Sequence, residues 1–197
     1  MPARRMTAPA SATAAPAPSE ARERILATAL ALFYRDGVRA TGVDRLIAES
    51  AVTKATFYRH FPGKNDLVLA FLEHRHARWM AWFTDALARH GGDTDALVPT
   101  LAEWLRSPDF RGCAFINSVG ELGAELPGVV AITRRHKAEM GVAIAALLPA
   151  SRLRRKQALA LAIVVDGAIV RAQFDAAPDA ALAGLQLCCQ FVMKPPA

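Results

Sequence analysis

Apolar residues recur along this chain at the 3–4 spacing of helices, and no stretch shows the alternation of a strand. Ile25, Leu26, Ala29, Leu30 and Phe33 form the first stripe. Ser19 stands before it as an N-cap, with Glu20 and Glu23 in the first turn, where the helix dipole favours acids. Asp36-Gly37 ends it, Gly37 being suited to a left-handed C-cap. A short second helix is expected from Thr41, where Thr41-x-x-Asp44 has the form of a capping box with Asp for Glu. Val43, Leu46 and Ile47 give it an inner face. Thr53 is placed to cap a third short helix ending near His60, stopped by Phe61-Pro62-Gly63. A long helix follows from Lys64 to about His90. Further helices are expected near 94–106, 113–125, 128–148, 152–175 and 178–193, separated by Pro- and Gly-containing turns. The expected fold is all-α.

The two final segments differ from the rest. Residues 158–174 are apolar almost all round, and Leu182, Leu185, Cys189 and Val192 repeat at 3-4-3 spacing. Such helices need a partner surface, and a homodimer through them is the simplest one. Residues 1–18 are Ala, Pro, Ser and Thr with two arginines, and read as a disordered arm.

Composition narrows the function. Of 197 residues, 53% are hydrophobic and 21% charged, enough for a sizeable core. No apolar run reaches the roughly 18–20 residues of a membrane span, since Asp166 interrupts the longest. The N-terminus has no apolar signal core. A soluble, cytoplasmic chain with no membrane partner is expected. The net charge is +6, and residues 1–66 hold ten Lys and Arg against six Asp and Glu. A basic, compact end suggests a polyanionic partner, although solubility alone explains such a charge equally well. Cys113, Cys188 and Cys189 form neither a CxxC pattern nor a Cys/His quartet, so neither a disulfide framework nor a metal site is expected. Asp166, His136 and Glu139 are the residues an enzyme reading would recruit. No nucleophile elbow, metal signature or phosphate loop supports it, so no enzyme and no cofactor are expected.

One segment, TKATFYRHFPGKNDL (Thr53 to Leu67), concentrates the chemistry. Two short helices joined by a tight turn, after an amphipathic helix, make a helix-turn-helix, whose second helix enters the major groove. Phe57 and Phe61, four apart, point toward the core. Thr53, Lys54, Thr56, Tyr58, Arg59 and His60 cover the rest, a set of donors for phosphate oxygens and base edges. Lys64 opens the next helix, where its charge adds to free backbone amides. The alternative is a solvated helical face beside two core aromatics.

The stretch from Ile25 to Leu72 resembles the DNA-binding region of the TetR family of transcriptional regulators. Ala29, Leu32, Phe33 and Gly37 match its A-x-x-L-F-x-x-x-G, and Thr41, Val43 and Leu46 its T-x-V-x-x-[IL]. Thr53, Lys54, Thr56, Tyr58, His60 and Phe61 match [ST]-K-x-T-x-Y-x-H-F, followed by Pro62, Lys64 and Leu67 as P-x-K-x-x-L. The resemblance implies nine helices, a helix-turn-helix domain at 19–66, and a ligand-binding and dimerisation domain at 67–197. It also implies a homodimer through the last two helices, a small-molecule effector and a double-stranded DNA operator. By that match Thr41, Thr53, Tyr58, His60 and Lys64 are phosphate contacts. Lys54, Thr56 and Arg59 are base or groove contacts, and small Ala55 allows close approach. Two positions depart from the family pattern. Ala51 stands where Gly is usual, at a cost on the order of 1 kcal/mol if left-handed. Gly63 stands where Ser or Thr usually caps, at a few tenths of a kcal/mol.

The remainder is less explicit. Trp79, Trp82, Phe83 and Trp104 suit either a hydrophobic ligand cavity or plain core. Gly112, Cys113, Asn117 and Glu121 resemble a G-C-x-x-x-N-x-x-x-E segment of some TetR-family branches. Cys113, Asn117 and Glu121 are four apart, a polar stripe that needs a ligand or side-chain partners. Cys113 near a helix N-terminus, beside Arg111, is either a thiol or electrophile sensor or a small buried hydrophobe. Cys188 and Cys189 read as packing. Asp166 and Arg171 either reach a pocket or pair together, and Gly167 permits a close helix crossing.

Overall fold

The computed structural model describes residues 20–193, so the expected arm at 1–18 and the Ser19 cap lie outside it. Among the described residues there are nine α-helices and no strand. They are α1 (Glu20–Asp36), α2 (Val43–Glu49), α3 (Lys54–His60), α4 (Lys64–Arg89), α5 (Leu97–Leu105), α6 (Ala114–Leu122), α7 (Pro127–Ala146), α8 (Arg154–Ala172) and α9 (Asp179–Met193). A 3-10 turn at Thr94–Ala96 leads into α5.

The N-terminal helices close around the side chains that the apolar spacing selects. Ile25, Ala29, Leu32 and Phe33 of α1 meet Leu46, Phe57, Leu67 and Phe71, all buried. Phe33 and Phe71 pack edge-to-face at 5.5 Å. Gly37 takes the left-handed conformation (φ 88°) and ends α1. The Thr53 hydroxyl accepts from the Thr56 amide at 3.1 Å, capping α3. Ala51, in the turn between α2 and α3, is left-handed at φ 51°.

The capping box at Thr41 does not form. Gly42 is the N-cap of α2 and provides no side chain for it. Thr41 is fully buried, and its hydroxyl donates to the Gly37 carbonyl at 2.8 Å. The left-handed turn at Gly37 folds the chain back, so a side chain expected to cap the next helix instead satisfies the end of the previous one.

The 26-residue α4, about 39 Å long at 1.5 Å per residue, joins the two halves of the molecule. Its first turns pack on α1 and its remainder on α5, α6 and α7. Beyond it α7, α8 and α9 pack in series. The C-terminal core holds one ionisable ring. His136 is 2% exposed, stacked on Phe115 with centroids 3.7 Å apart and edge-on to Trp79 at 4.9 Å. Its Nδ1 lies 3.3 Å from Nδ1 of His76. Burial, then the nearby cations, hold its pKa down at about 2, so the ring is neutral.

Candidate functional site

The face of α3 opposite its core aromatics is open. Phe57 and Phe61 are 0% and 3% exposed, as the four-residue spacing predicts. Thr53, Lys54, Ala55, Tyr58 and Arg59 are exposed, while Thr56 and His60 are half-buried. Among the described residues Lys54 and Arg59 have no carboxylate partner, whereas Arg35 and Arg45 share Asp36 and Arg45 also holds Glu49. Two guanidinium and ammonium groups left unpaired on one exposed helix face keep their charge available to an anion. Lys64 opens α4 next to this face, half-buried, with burial lowering its pKa and Glu121 opposing that shift. Thr41 falls out of the predicted set, since its buried side chain offers DNA no accessible atom.

In the C-terminal half, the three tryptophans of the chain converge. Trp79 and Trp104 meet at 5.6 Å, Trp79 and Trp82 at 5.9 Å, Trp82 and Trp104 at 6.2 Å between centroids. They line a cleft of about 410 Å³, together with Leu30 and Tyr34 of α1 and Arg75 and Arg78 of α4. Its size falls within the roughly 300–1,000 Å³ of small-molecule sites. Phe83 lies behind it, fully buried and stacked on Trp79 at 4.6 Å.

The other candidate pocket residues find hydrogen-bond or ion-pair partners within the chain. Asn117 donates to the Arg111 carbonyl at 3.2 Å and accepts from Gln173 at 3.2 Å. The Glu121 carboxylate accepts from the Arg39 backbone amide at 2.6 Å, and the Arg39 side chain returns a bond to the Glu121 carbonyl. The polar stripe therefore finds partners in the chain, and its lower end ties α6 to the loop after α1. Arg171 pairs with Asp175 at 2.7 Å, and Asp166 with Lys137 at 2.5 Å, so the two do not pair with each other. Cys113 is the buried N-cap of α6, with Lys137 Nζ 3.5 Å from its sulfur. Burial pushes the Cys189 thiol up to about 11, in keeping with a packing role. Gly112 explains the first position of the segment: it is left-handed (φ 86°), and a Cβ there would lie 2.1 Å from the Gln173 side chain.

Sequence reading missed the contribution of α1 to the cleft and the link above it. The Tyr34 hydroxyl donates to the Gly112 carbonyl and accepts from the Arg111 amide, both at 3.0 Å. It also missed Arg75 and Arg78, although Arg75, Arg78, Trp79 and Trp82 carry a helical 3-1-3 spacing that marks one face of α4.

Residues 25–71 match the family model described as bacterial regulatory proteins, tetR family. A solved TetR-family transcriptional regulator from Streptomyces coelicolor superposes with a TM-score of 0.79 and 31% identity, over 89% of this chain and 97% of that one. The chain belongs to the TetR family. It is thus a DNA-binding transcriptional regulator with a helix-turn-helix and not an enzyme. Among curated relatives, the uncharacterized HTH-type transcriptional regulator YerO of Bacillus subtilis (strain 168) is 36% identical over 56 residues. An uncharacterized HTH-type regulator from the lacX 3' region of Lactococcus lactis subsp. lactis is 25% identical over 108 residues. The matches take in 28% and 52% of this chain and only 19% and 55% of those relatives' own lengths. The TetR assignment agrees with the position of the open α3 face, and no described helix is long and apolar enough to cross a membrane.

Proposed function

We propose that this protein is a cytoplasmic repressor that binds a palindromic operator as a homodimer and is released by a small-molecule effector. The observation that carries the reading is the α3 face, where Lys54, Tyr58 and Arg59 stand exposed beside Lys64. Lys54, Thr56 and Arg59 read base edges, with Ala55 allowing close approach. Thr53, Tyr58, His60 and Lys64 hold phosphates. Support for the dimer comes from α8 and α9. Leu159, Ile163 and Val170 form an exposed apolar stripe on α8, with Phe174 exposed in the turn just after it and Leu187 and Phe191 exposed on α9. Gly167 interrupts the α8 stripe with open space around its Cβ position, leaving room for a partner helix to approach. The reading requires that a second copy on this stripe set the two α3 helices one helical turn, about 34 Å, apart. The effector occupies the tryptophan cleft and favours the conformer in which that spacing is wrong. Coupling is then a difference in affinity and is reciprocal.

The test is a selection of genomic fragments by purified protein, sequenced with and without a panel of small molecules. An inverted repeat should be enriched and then lost with an effector, whereas absence of any enriched motif contradicts the reading. A second reading, thiol sensing, rests on the Lys137 ammonium lying 3.5 Å from the Cys113 sulfur. It requires that a thiol oxidant abolish DNA binding in the wild type and spare Cys113→Ser.

A further inference from the structure

We propose that the tryptophan cleft takes a planar aromatic anion, an aryl carboxylate or sulfonate, and that this ligand bridges α1 to α4 and α5. The proposal rests on the effector reading above and gives that effector its chemistry.

The apolar part of the site is a wall of indoles. Trp79, Trp82 and Trp104 lie within 6.2 Å of one another, and such faces suit a flat ring better than a flexible chain. The charged part decides the sign of the ligand. Arg75 and Arg78 line the cleft three residues apart on α4, and neither makes an ion pair among the described residues. The Arg75 guanidinium lies instead 3.8 Å over the Tyr34 ring. Unlike Arg59 on the α3 face, these two guanidiniums line a cleft walled by indoles. A guanidinium fork matches a carboxylate or sulfonate in two parallel bonds.

Two carboxylates also line the cleft, but Glu103 is already paired and Asp109 offsets at most one of the two guanidiniums. Glu103 is engaged by Arg89 at 3.1 and 3.2 Å and then by Trp82 Nε1 at 3.2 Å, which holds its pKa down at about 2. Asp109 is exposed on the connection between α5 and α6. His74 completes the titratable lining, with burial first and Arg78 second lowering its pKa and favouring the neutral ring. An aromatic cation would gain from the indole faces but would meet two unpaired guanidiniums. Trp79 Nε1 is buried without an acceptor, an unmet donor that an acceptor atom on a bound ligand would satisfy.

The location gives the ligand its leverage. Leu30 and Tyr34 belong to the helix on which α2 and α3 are packed. Tyr34 also holds the Arg111–Gly112 backbone. A ligand carboxylate that draws Arg75 off the Tyr34 ring acts directly on the contact between the two domains.

The test is calorimetric titration of the full chain with three probes of one shape: 2-naphthoate, neutral 2-naphthamide and cationic 2-naphthylmethylammonium. Naphthoate should bind at least tenfold more tightly than either. The Arg75→Gln/Arg78→Gln protein should lose at least tenfold in naphthoate affinity while keeping its affinity for naphthamide within threefold. Should that variant melt early, the wild type is titrated in 1 M NaCl, where the preference for naphthoate over naphthamide should fall at least fivefold. Equal affinities, a preference for the cation, an unaffected variant, a salt-independent preference or no binding of any probe overturns the proposal. DNA release by the same probes is measured separately. Naphthoate binding through the arginines without release keeps the ligand chemistry and removes the effector reading. Release by compounds indifferent to the arginines keeps the effector reading and removes this one.

Discussion

The helix-turn-helix and the C-terminal domain draw partners for their polar side chains from different distances along the chain. In the first, the buried Thr41 and Ser50 hydroxyls bond carbonyls four residues back, Gly37 and Leu46. In the second, His136 faces His76, sixty residues earlier, and Asn117 accepts from Gln173, fifty-six residues later. The recognition end is therefore built from local rules, and its exposed chemistry falls within one short run, Thr53 to Lys64. The cleft exists only where α1, α4 and α5 meet. On the proposed reading, local construction holds the α3 surface fixed whatever ligand the cleft takes. The price is that the distant half writes little of its chemistry into any one segment.

The largest effect that would sharpen this contrast comes from His136. Its folded pKa lies well below the unfolded value of about 6.5, so the unfolded chain binds one more proton below that pH. Its contribution to stability is present above pH 6.5 and falls by up to about 1.4 kcal/mol per unit as pH drops, nearly 3 kcal/mol by pH 4.5. Urea unfolding between pH 7 and 4.5 should show this slope in the wild type and lose it in His136→Gln. An unchanged slope in the variant would assign the acid sensitivity elsewhere.

A smaller effect is expected at Gly112, another contact that joins distant segments. Gly112→Ala forces a side chain into the left-handed region and against Gln173, and should cost about 2–3 kcal/mol. In a Gln173→Ala background the steric part disappears, and the substitution should cost only about 1–2 kcal/mol. Equal costs in both backgrounds would deny the contact. The smallest effect is the local one. Ala51→Gly relieves a left-handed alanine at some cost in chain entropy, so thermal unfolding should show a gain of up to about 1 kcal/mol. A loss of stability would mean that the alanine side chain contributes more than the strain costs.

The same contrast explains what could be read beforehand. Helix positions followed from apolar period and from Gly and Pro breaks, and the Thr53 cap, the Gly37 stop and the burial of Phe57 and Phe61 followed from local spacing. Thr41 was misread because its partner depends on how the chain turns at Gly37, which a capping pattern does not encode. The polarity of Asn117, Glu121 and Arg171 called for either a ligand or side-chain partners, and nothing local reveals that Gln173, Arg39 and Asp175 bond them. The tryptophans were legible as ligand-facing or core, and only tertiary packing separates the cleft-lining three from Phe83. Arg75 and Arg78 carried a readable period on α4 but no sign that α1 would stand opposite.

The central claim is that the α3 face reads base sequence while Lys64 grips the backbone. The measurement that tests it most directly is affinity for the selected inverted repeat and for a scrambled duplex of equal length, across salt concentrations. It is made with wild type, Arg59→Ala and Lys64→Ala. The account predicts that Arg59→Ala reduces the ratio of specific to non-specific affinity by roughly tenfold or more, since a base contact is worth about 1–3 kcal/mol. It predicts that Lys64→Ala weakens both duplexes alike and lowers the salt slope by about 1. An Arg59→Ala protein that loses affinity equally on both duplexes, with the ratio intact, would contradict it.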